Sequence, residues 1–270
     1  MAGKFGGRLA AGIVLLTLVG ACGYDHTSNP TGYGDTTPNA TEAARAEPRV
    51  IRATGDLTQA LAEFRASLGG SLNPPAPGEQ ATGRREINWD AVSGALLNVD
   101  TFPGDFFNRV SPRGQIFTTE GTGFRVSDNA LADLNPAYAS QFAAFSPPKI
   151  FVSVGRRALA AHFVVAGSST PARVNGFGVV FSDVDVEGSA TLAFFDARGR
   201  LLRRVSAPVR SDAAGFSFVG VTFSNPIVAR VRILSGQAAI TGLNLDVSAG
   251  GEADLVAMDD FISGEPHAIR

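Results

Sequence analysis

Thr191-Leu192-Ala193-Phe194-Phe195-Asp196-Ala197-Arg198-Gly199-Arg200-Leu201-Leu202 decides the fold class. Two apolar runs flank an Asp-Ala-Arg-Gly reversal, and Gly199 supplies the positive φ that a tight turn between strands needs. This is a β-hairpin. Downstream, Ala229 to Ile233 alternates, with Val231 and Ile233 on one face and Arg230 and Arg232 on the other, the pattern of a half-exposed strand. The same grammar extends from Arg84 to Pro266, where runs rich in Val, Ile, Phe and Thr are broken by Gly, Pro, Ser, Asn or Asp. Strands are expected near residues 85–90, 114–119, 122–127, 149–154, 158–166, 173–182, 189–196, 200–207, 215–223, 228–234, 239–246 and 254–262. So many short strands at this spacing predict an all-β fold, an antiparallel jelly-roll β-sandwich over residues 84–266, with a closed barrel as the alternative.

Upstream, the pattern changes. Leu57, Leu61, Phe64 and Leu68 recur at spacings of 4, 3 and 4, Asp56 and Gln59 are placed as a capping box, and Gly69-Gly70 stops the run. One short amphipathic helix follows from this, docked on its own domain or on a partner, and residues 56–83 comprise that helix and a Pro-rich linker. Residues 22–55 are mostly Gly, Thr, Asn, Pro and Ala without apolar periodicity, which predicts a disordered tether.

Residues 1–21 carry Lys4 and Arg8, an apolar stretch from Leu9 to Val19, then Gly20 and Ala21 before Cys22. This is the layout of a secretory signal, too short in its apolar part to span a bilayer as a helix, which needs roughly 20 residues. Leu18-Val19-Gly20-Ala21-Cys22 resembles the lipobox of bacterial lipoproteins. The resemblance implies a signal peptide removed before Cys22, lipid on that cysteine, and an extracytoplasmic domain anchored to a membrane. Gly23 after the cysteine resembles the outer-membrane pattern, which applies where the bacterium has two membranes. An ordinary secretory signal is the alternative. Cys22 is the chain's sole cysteine, so no internal disulfide is available.

Composition narrows the partners. The 270 residues hold 23 Lys+Arg against 25 Asp+Glu, and 44% are hydrophobic, with 19 Phe, ample for a core. Nucleic-acid binding is not expected, because phosphate neutralisation calls for a basic chain. Catalytic patterns are sparse. No HExxH, GxSxG or GxxxxGK[ST] motif occurs, and of three histidines only His162 lies inside the strand region, where a hydrogen-bonded structural role is expected. A carboxylate pair for glycoside cleavage has no linear motif, so a glycan hydrolase or lyase stays open.

The acids near residue 183 are the strongest candidates for a site. In Phe177-Gly178-Val179-Val180-Phe181-Ser182-Asp183-Val184-Asp185, a regular strand would place Asp183 and Asp185 on the core side, about 6–7 Å apart. Asp183-Val184-Asp185-Val186-Glu187-Gly188 also matches the opening of a calcium loop. It is not an EF-hand, since Phe194 stands where the bidentate Glu belongs. Two readings are open: one structural Ca²⁺ held by Asp183, Asp185 and Glu187 with Asp90, Asp259 and Asp260, or a polar turn of solvated or Arg-paired acids. For carbohydrate, the domain offers few aromatic platforms, because Trp89 shares its face with Ile87 and is expected in the core. The doublets Arg84-Arg85, Arg156-Arg157 and Arg203-Arg204 are expected to be solvated or salt-bridged.

Gly83-Arg84-Arg85-Glu86-Ile87-Asn88-Trp89-Asp90, Ser111-Pro112-Arg113-Gly114, Gly121-Thr122-Gly123-Phe124, Met258-Asp259-Asp260-Phe261 and Gly264-Glu265-Pro266 resemble a group of secreted bacterial proteins, many bearing a C-terminal PEP-CTERM sorting signal. The resemblance implies an extracytoplasmic jelly roll, galactose-binding-like in outline, with no activity attached. The expected function is a non-catalytic, lipid-anchored β-sandwich that binds an extracellular glycan or protein. A purely structural envelope protein is a further alternative.

Overall fold

The structure is a computed structural model that describes residue 3, residues 47–210, residue 212 and residues 214–270. The expected leader, Cys22 and the tether up to residue 46 therefore lie outside the described residues, apart from Gly3. The described residues from 47 to 270 belong to one compact unit.

Two antiparallel sheets make a sandwich. The larger runs β1 (Arg49–Thr54), β11 (Phe216–Thr222), β8 (Gly176–Ser182), β13 (Ala257–Gly264), β5 (Ile150–Val154), β4 (Gly123–Ser127), with β2 (Arg84–Ile87) paired along the C-terminal half of β13. The smaller runs β10 (Leu201–Ser206), β9 (Thr191–Phe195), β12 (Arg230–Leu234), β6 (Ala158–Phe163), β3 (Gln115–Thr119). A minor ladder joins β7 (Ala172–Arg173) to β14 (His267–Ala268). The chain alternates between sheets, from β8 to the β9–β10 hairpin, back to β11, across to β12 and back to β13. The helices are short: α1 (Thr58–Ser67), α2 (Phe106–Arg109) and α3 (Tyr138–Gln141). The all-β sandwich with one N-terminal amphipathic helix matches the sequence expectation.

The main core fills the space between the sheets. Phe177, Val179, Phe181, Met258 and Phe261 face Phe117, Leu159, Phe194, Val231 and Ile233 there. Trp89 sits at its centre, stacked on Phe151 at 4.1 Å, with its indole N–H donating to the Asp259 carbonyl at 3.0 Å. Its one polar atom is thereby satisfied, as full burial demands.

The outer face of the large sheet is also buried, beneath α1. Phe64 lies over Gly178 of β8 and its cross-strand partner Gly220 of β11, in edge contact with Phe218 at 5.2 Å. A Cβ on Gly220 would come within 2.5 Å of the Phe64 ring. Glycine within a strand is here a seat for an aromatic ring. The helix thus docks on its own domain, with Leu57 at the N-cap. Neither bond of the expected Asp56–Gln59 capping box forms among the described residues, and Asp56 Oδ1 accepts instead from the Thr58 N–H at 2.9 Å.

Several boundaries differ from the sequence reading. Residues 49–54, assigned to the tether, form β1 as an edge strand on β11, because Ile51 joins the core under α1 while Val50 packs against the main core. The strand expected over 239–246 is irregular, since Asn244 Oδ1 accepts from both the N–H and the hydroxyl of Thr241 and Gly242 has φ 80°. Such side-chain bonds offer the backbone an alternative to a ladder. β2 stops at Ile87, and Trp89 takes φ 64°.

The linker 71–83 is strapped down by an ion pair. Arg85 and Glu265 are buried and bonded at 2.8 Å, and Glu265 also accepts from Asn73 Nδ2 at 2.8 Å and the Gln80 N–H at 3.0 Å. Removing either partner would leave an uncompensated buried charge. Of the doublets expected to be solvated or salt-bridged, Arg84-Arg85 is salt-bridged, the half-buried Arg84 to Glu86 and the fully buried Arg85 to Glu265 as an internal strut.

Candidate metal centre

β8 does not continue as a regular strand beyond Ser182. Asp183 adopts φ 70°, a conformation that non-glycine residues take rarely, and it is fully buried. The expected same-face spacing along an extended strand is therefore replaced by a turn. That turn still brings the two predicted aspartates together, and adds a third. Carboxylate oxygens of Asp183, Asp185 and Asp246 lie within 4.8 Å of one another.

Each acid arrives on a different segment or position. Asp183 and Asp185 follow β8, and Asp246 opens the turn 246–249, where its Oδ2 accepts from the Ser248 N–H at 2.6 Å and hydroxyl at 2.7 Å. Its other oxygen accepts from the Leu255 N–H at 2.7 Å. Asp254, just ahead of β13, receives the N–H groups of Asp185 at 3.2 Å and Val186 at 2.9 Å on Oδ2. Gln141, at the end of α3, donates to Asp183 Oδ2 and to Ser248 Oγ at 3.0 Å. The knot thus ties α3, the end of β8, the 246–249 turn and the start of β13.

Its electrostatics are unfavourable while the carboxylates are ionised and unpaired. Oδ1 of Asp183, both oxygens of Asp185 and Oδ1 of Asp254 are buried with no hydrogen-bond partner. No Lys or Arg forms an ion pair with these acids among the described residues, which removes the Arg-paired reading. Burial pushes Asp183 up to about 8, with the neighbouring carboxylates adding to the effect, and burial with Asp246 pushes Asp185 up to about 6. Desolvation likewise raises Asp254. Buried carboxylates must be neutralised by protons or by a cation. The donor set is all carboxylate oxygen and hard, and fits Ca²⁺ better than softer transition metals.

The other acids expected at this site lie elsewhere. Glu187 is exposed on the turn after Asp185. Asp90 is exposed and accepts from Asn88 Nδ2 at 2.6 Å. Asp259 and Asp260 occupy a bulge in β13, where register shifts between Met258 and Phe261. There Asp259 accepts from the N–H groups of Phe145 and of Ser146 (3.0 Å), and the Ser146 hydroxyl bonds both carboxylates. Burial and the adjacent Asp260 push Asp259 up to about 8, and burial raises Asp260. This pair anchors the 143–149 loop. Asp246 and Asp254 escaped the sequence reading because both were placed in strands, and the signal that relocates them is the Thr241-Gly242-Leu243-Asn244 turn. His162 bonds Thr118 Oγ1 at 3.0 Å, a structural contact between β6 and β3.

No family model matches the chain, and no curated protein matches it. Among solved structures, it is similar to the enzymatically active domain of tailspike protein 4 of bacteriophage CBA120, with 16% identity over 66% of this chain and TM-score 0.28. It is also similar to the arabinose-bound α-L-arabinofuranosidase MgGH51, with 14% identity over 72% of this chain and TM-score 0.32. The chain spans 23% of the first and 31% of the second.

Proposed function

We propose that this is a lipid-anchored extracytoplasmic protein whose β-sandwich is a non-catalytic ligand-binding domain, with carbohydrate as the ligand class, and that one structural Ca²⁺ closes the Asp183–Asp185–Asp246 knot. The observation that carries the metal reading is the set of buried, unpartnered carboxylate oxygens with no cationic side chain beside them. Asp183, Asp185 and Asp246 supply the ligands, Asp254 contributes its free oxygen or a positioning role, and Gln141 orients Asp183. The cation would hold four segments at one end of the sandwich. The address rests on the lipobox-like Leu18–Cys22, which predicts that Cys22→Ser releases the protein from membranes.

Binding that is specific to the folded state stabilises it by about 2.7 kcal/mol at a hundredfold excess over Kd. Full-length protein stripped with chelator should melt higher when millimolar Ca²⁺ is restored, and Asp183→Asn/Asp185→Asn should lose that dependence. An unchanged wild-type midpoint, with no bound metal by elemental analysis, would overturn the metal assignment. For the ligand class, a glycan array hit without turnover of the bound glycan supports a binding module. Turnover abolished by Asp183→Ala would instead favour the hydrolase or lyase alternative.

A further inference from the structure

The smaller sheet presents a basic face. Its five strands contain four arginines, Arg203, Arg204, Arg230 and Arg232, one histidine and no Asp or Glu. Inward positions of these strands belong to the main core, so Arg204, Arg230 and Arg232 alternate outward. Cross-strand register sets them in rows. Arg232 lies between Ala160 of β6 and Ala193 of β9, and Ala193 lies beside Arg204 of β10. With strands about 4.8 Å apart, Arg232 and Arg204 are separated by about 10 Å of low alanine floor. Arg230 lies between His162 and Phe195, its guanidinium 4.3 Å from the Phe195 ring centroid. None of Arg204, Arg230 and Arg232 has an ion-pair partner among the described residues.

The Arg230 row continues past Phe195 to Leu201, which lines a cleft of about 760 Å³ where Arg173, Arg198 and Arg200 meet the carboxylates of Glu47 and Asp196, the latter paired with Arg200. Nε of Arg173 is buried and has no partner. A chain lying across the strands would therefore meet guanidinium forks at intervals over small side chains. Guanidinium matches carboxylate bidentately, and a stacked arginine is pre-organised to do so.

We propose that this face binds an acidic polysaccharide, with Arg204, Arg230 and Arg232 pairing to sugar carboxylates. The proposal rests on the glycan-binding reading and narrows it to uronate-type chains. Charge complementarity favours a polyanion, and Phe195 is the one outward aromatic ring on these five strands, fewer than the stacking platforms of a single-stranded nucleic-acid site. Leu201 is the one large exposed hydrophobic side chain on these five strands, so the face has little with which to insert into a membrane, and sedimentation on vesicles reads any purely electrostatic adsorption.

The test is affinity electrophoresis of the full-length, detergent-solubilised protein through gels holding polygalacturonate, its methyl ester or dextran, with sedimentation on phosphatidylglycerol vesicles alongside. Retardation by polygalacturonate is expected, weakened about tenfold or more in Arg204→Gln/Arg230→Gln/Arg232→Gln. It should persist in Arg49→Gln/Arg109→Gln/Arg156→Gln, which removes equal charge elsewhere. Equal loss in both triple variants would overturn the proposal, as would binding to vesicles without binding to polygalacturonate. Wild-type retardation that is as strong in the ester overturns acid recognition and leaves glycan binding standing. No retardation in any glycan overturns both.

Discussion

The outer face of the large sheet carries Ile51, Val180, Phe218 and Ile262 beneath α1, and Ile150 and Val152 beside α3, all buried. The outer face of the small sheet carries Thr118, Ala160, His162, Arg204, Arg230 and Arg232, and no described helix lies over it. One sheet is buried on both sides and the other on one. The difference separates what holds this molecule together from what is left free to meet a partner. A sheet covered on both faces offers little purchase to a ligand, whereas a rigid sheet with one bare face is a platform whose side chains can be exchanged without unfolding it.

The comparison breaks most readily at α1. Phe64 is fully buried over the Gly178–Gly220 pair, so Phe64→Ala should cost about 3–5 kcal/mol through lost transfer energy and a cavity that a β-sheet floor relaxes into poorly. Urea unfolding measures it. A cost under 1 kcal/mol would mean that α1 is not sealing the sheet. From the other side of the same contact, Gly220→Ala puts a methyl against the Phe64 ring and should cost about 1–3 kcal/mol by overpacking. In a Phe64→Ala background that penalty should shrink to what the Phe218 ring, 2.9 Å from the same methyl, still imposes, and a double-mutant cycle reads the coupling.

The bulge in the large sheet supplies a pH test. Asp259 titrates near 3.9 in an unfolded chain but near 8 when buried here. Between those values the folded state holds the extra proton, so stability falls as pH rises through that window, by up to about 1.4 kcal/mol per pH unit. Asp259→Asn keeps an acceptor for the Phe145 and Ser146 amides and removes the titration. In constant millimolar Ca²⁺, thermal melts from pH 5 to pH 8 should decline in wild type and less steeply in the variant, where Asp260 alone keeps a raised titration. Identical slopes would place the proton elsewhere.

The same contrast explains what was legible in the sequence. Ala229 to Ile233 alternates because only one of its faces is buried, and its strand and orientation were read correctly. Gly176–Ser182 is buried throughout, and its continuous apolar run also reads as a strand, yet nothing local says that Gly178 seats a ring from residue 64. Asp183 and Asp185 were visible as a pair through spacing. Their third partner was not, because Asp246 lies 61 residues past Asp185 and reaches it only through a turn set by Thr241 and Asn244. β1 was hidden in a segment of tether-like composition, since an edge strand takes its order from the strand it joins. The stretches Gly83–Asp90, Met258–Phe261 and Gly264–Pro266 meet through the Arg85–Glu265 pair and the Trp89–Asp259 bond. In this chain they are scaffold.

The smallest expected effect is on the bare face. Arg232 is exposed and lies between two alanines, so Arg232→Gln removes little packing, since Gln keeps part of the stem over Ala193, and no ion pair among the described residues. Its change in stability should stay within about 0.5 kcal/mol. The sign should be positive, because Arg204 and Arg232 flank Ala193 in one row and like charges on neighbouring positions of a sheet repel. Screening supplies the control. At 1 M salt the Debye length falls to about 3 Å, less than the separation of the two guanidinium groups' strands, and the small gain should vanish. Denaturant unfolding at low and high salt measures both arms. A loss above 1 kcal/mol at either ionic strength would mean that Arg232 is held against another part of the protein, and the small sheet would then be as covered as the large one.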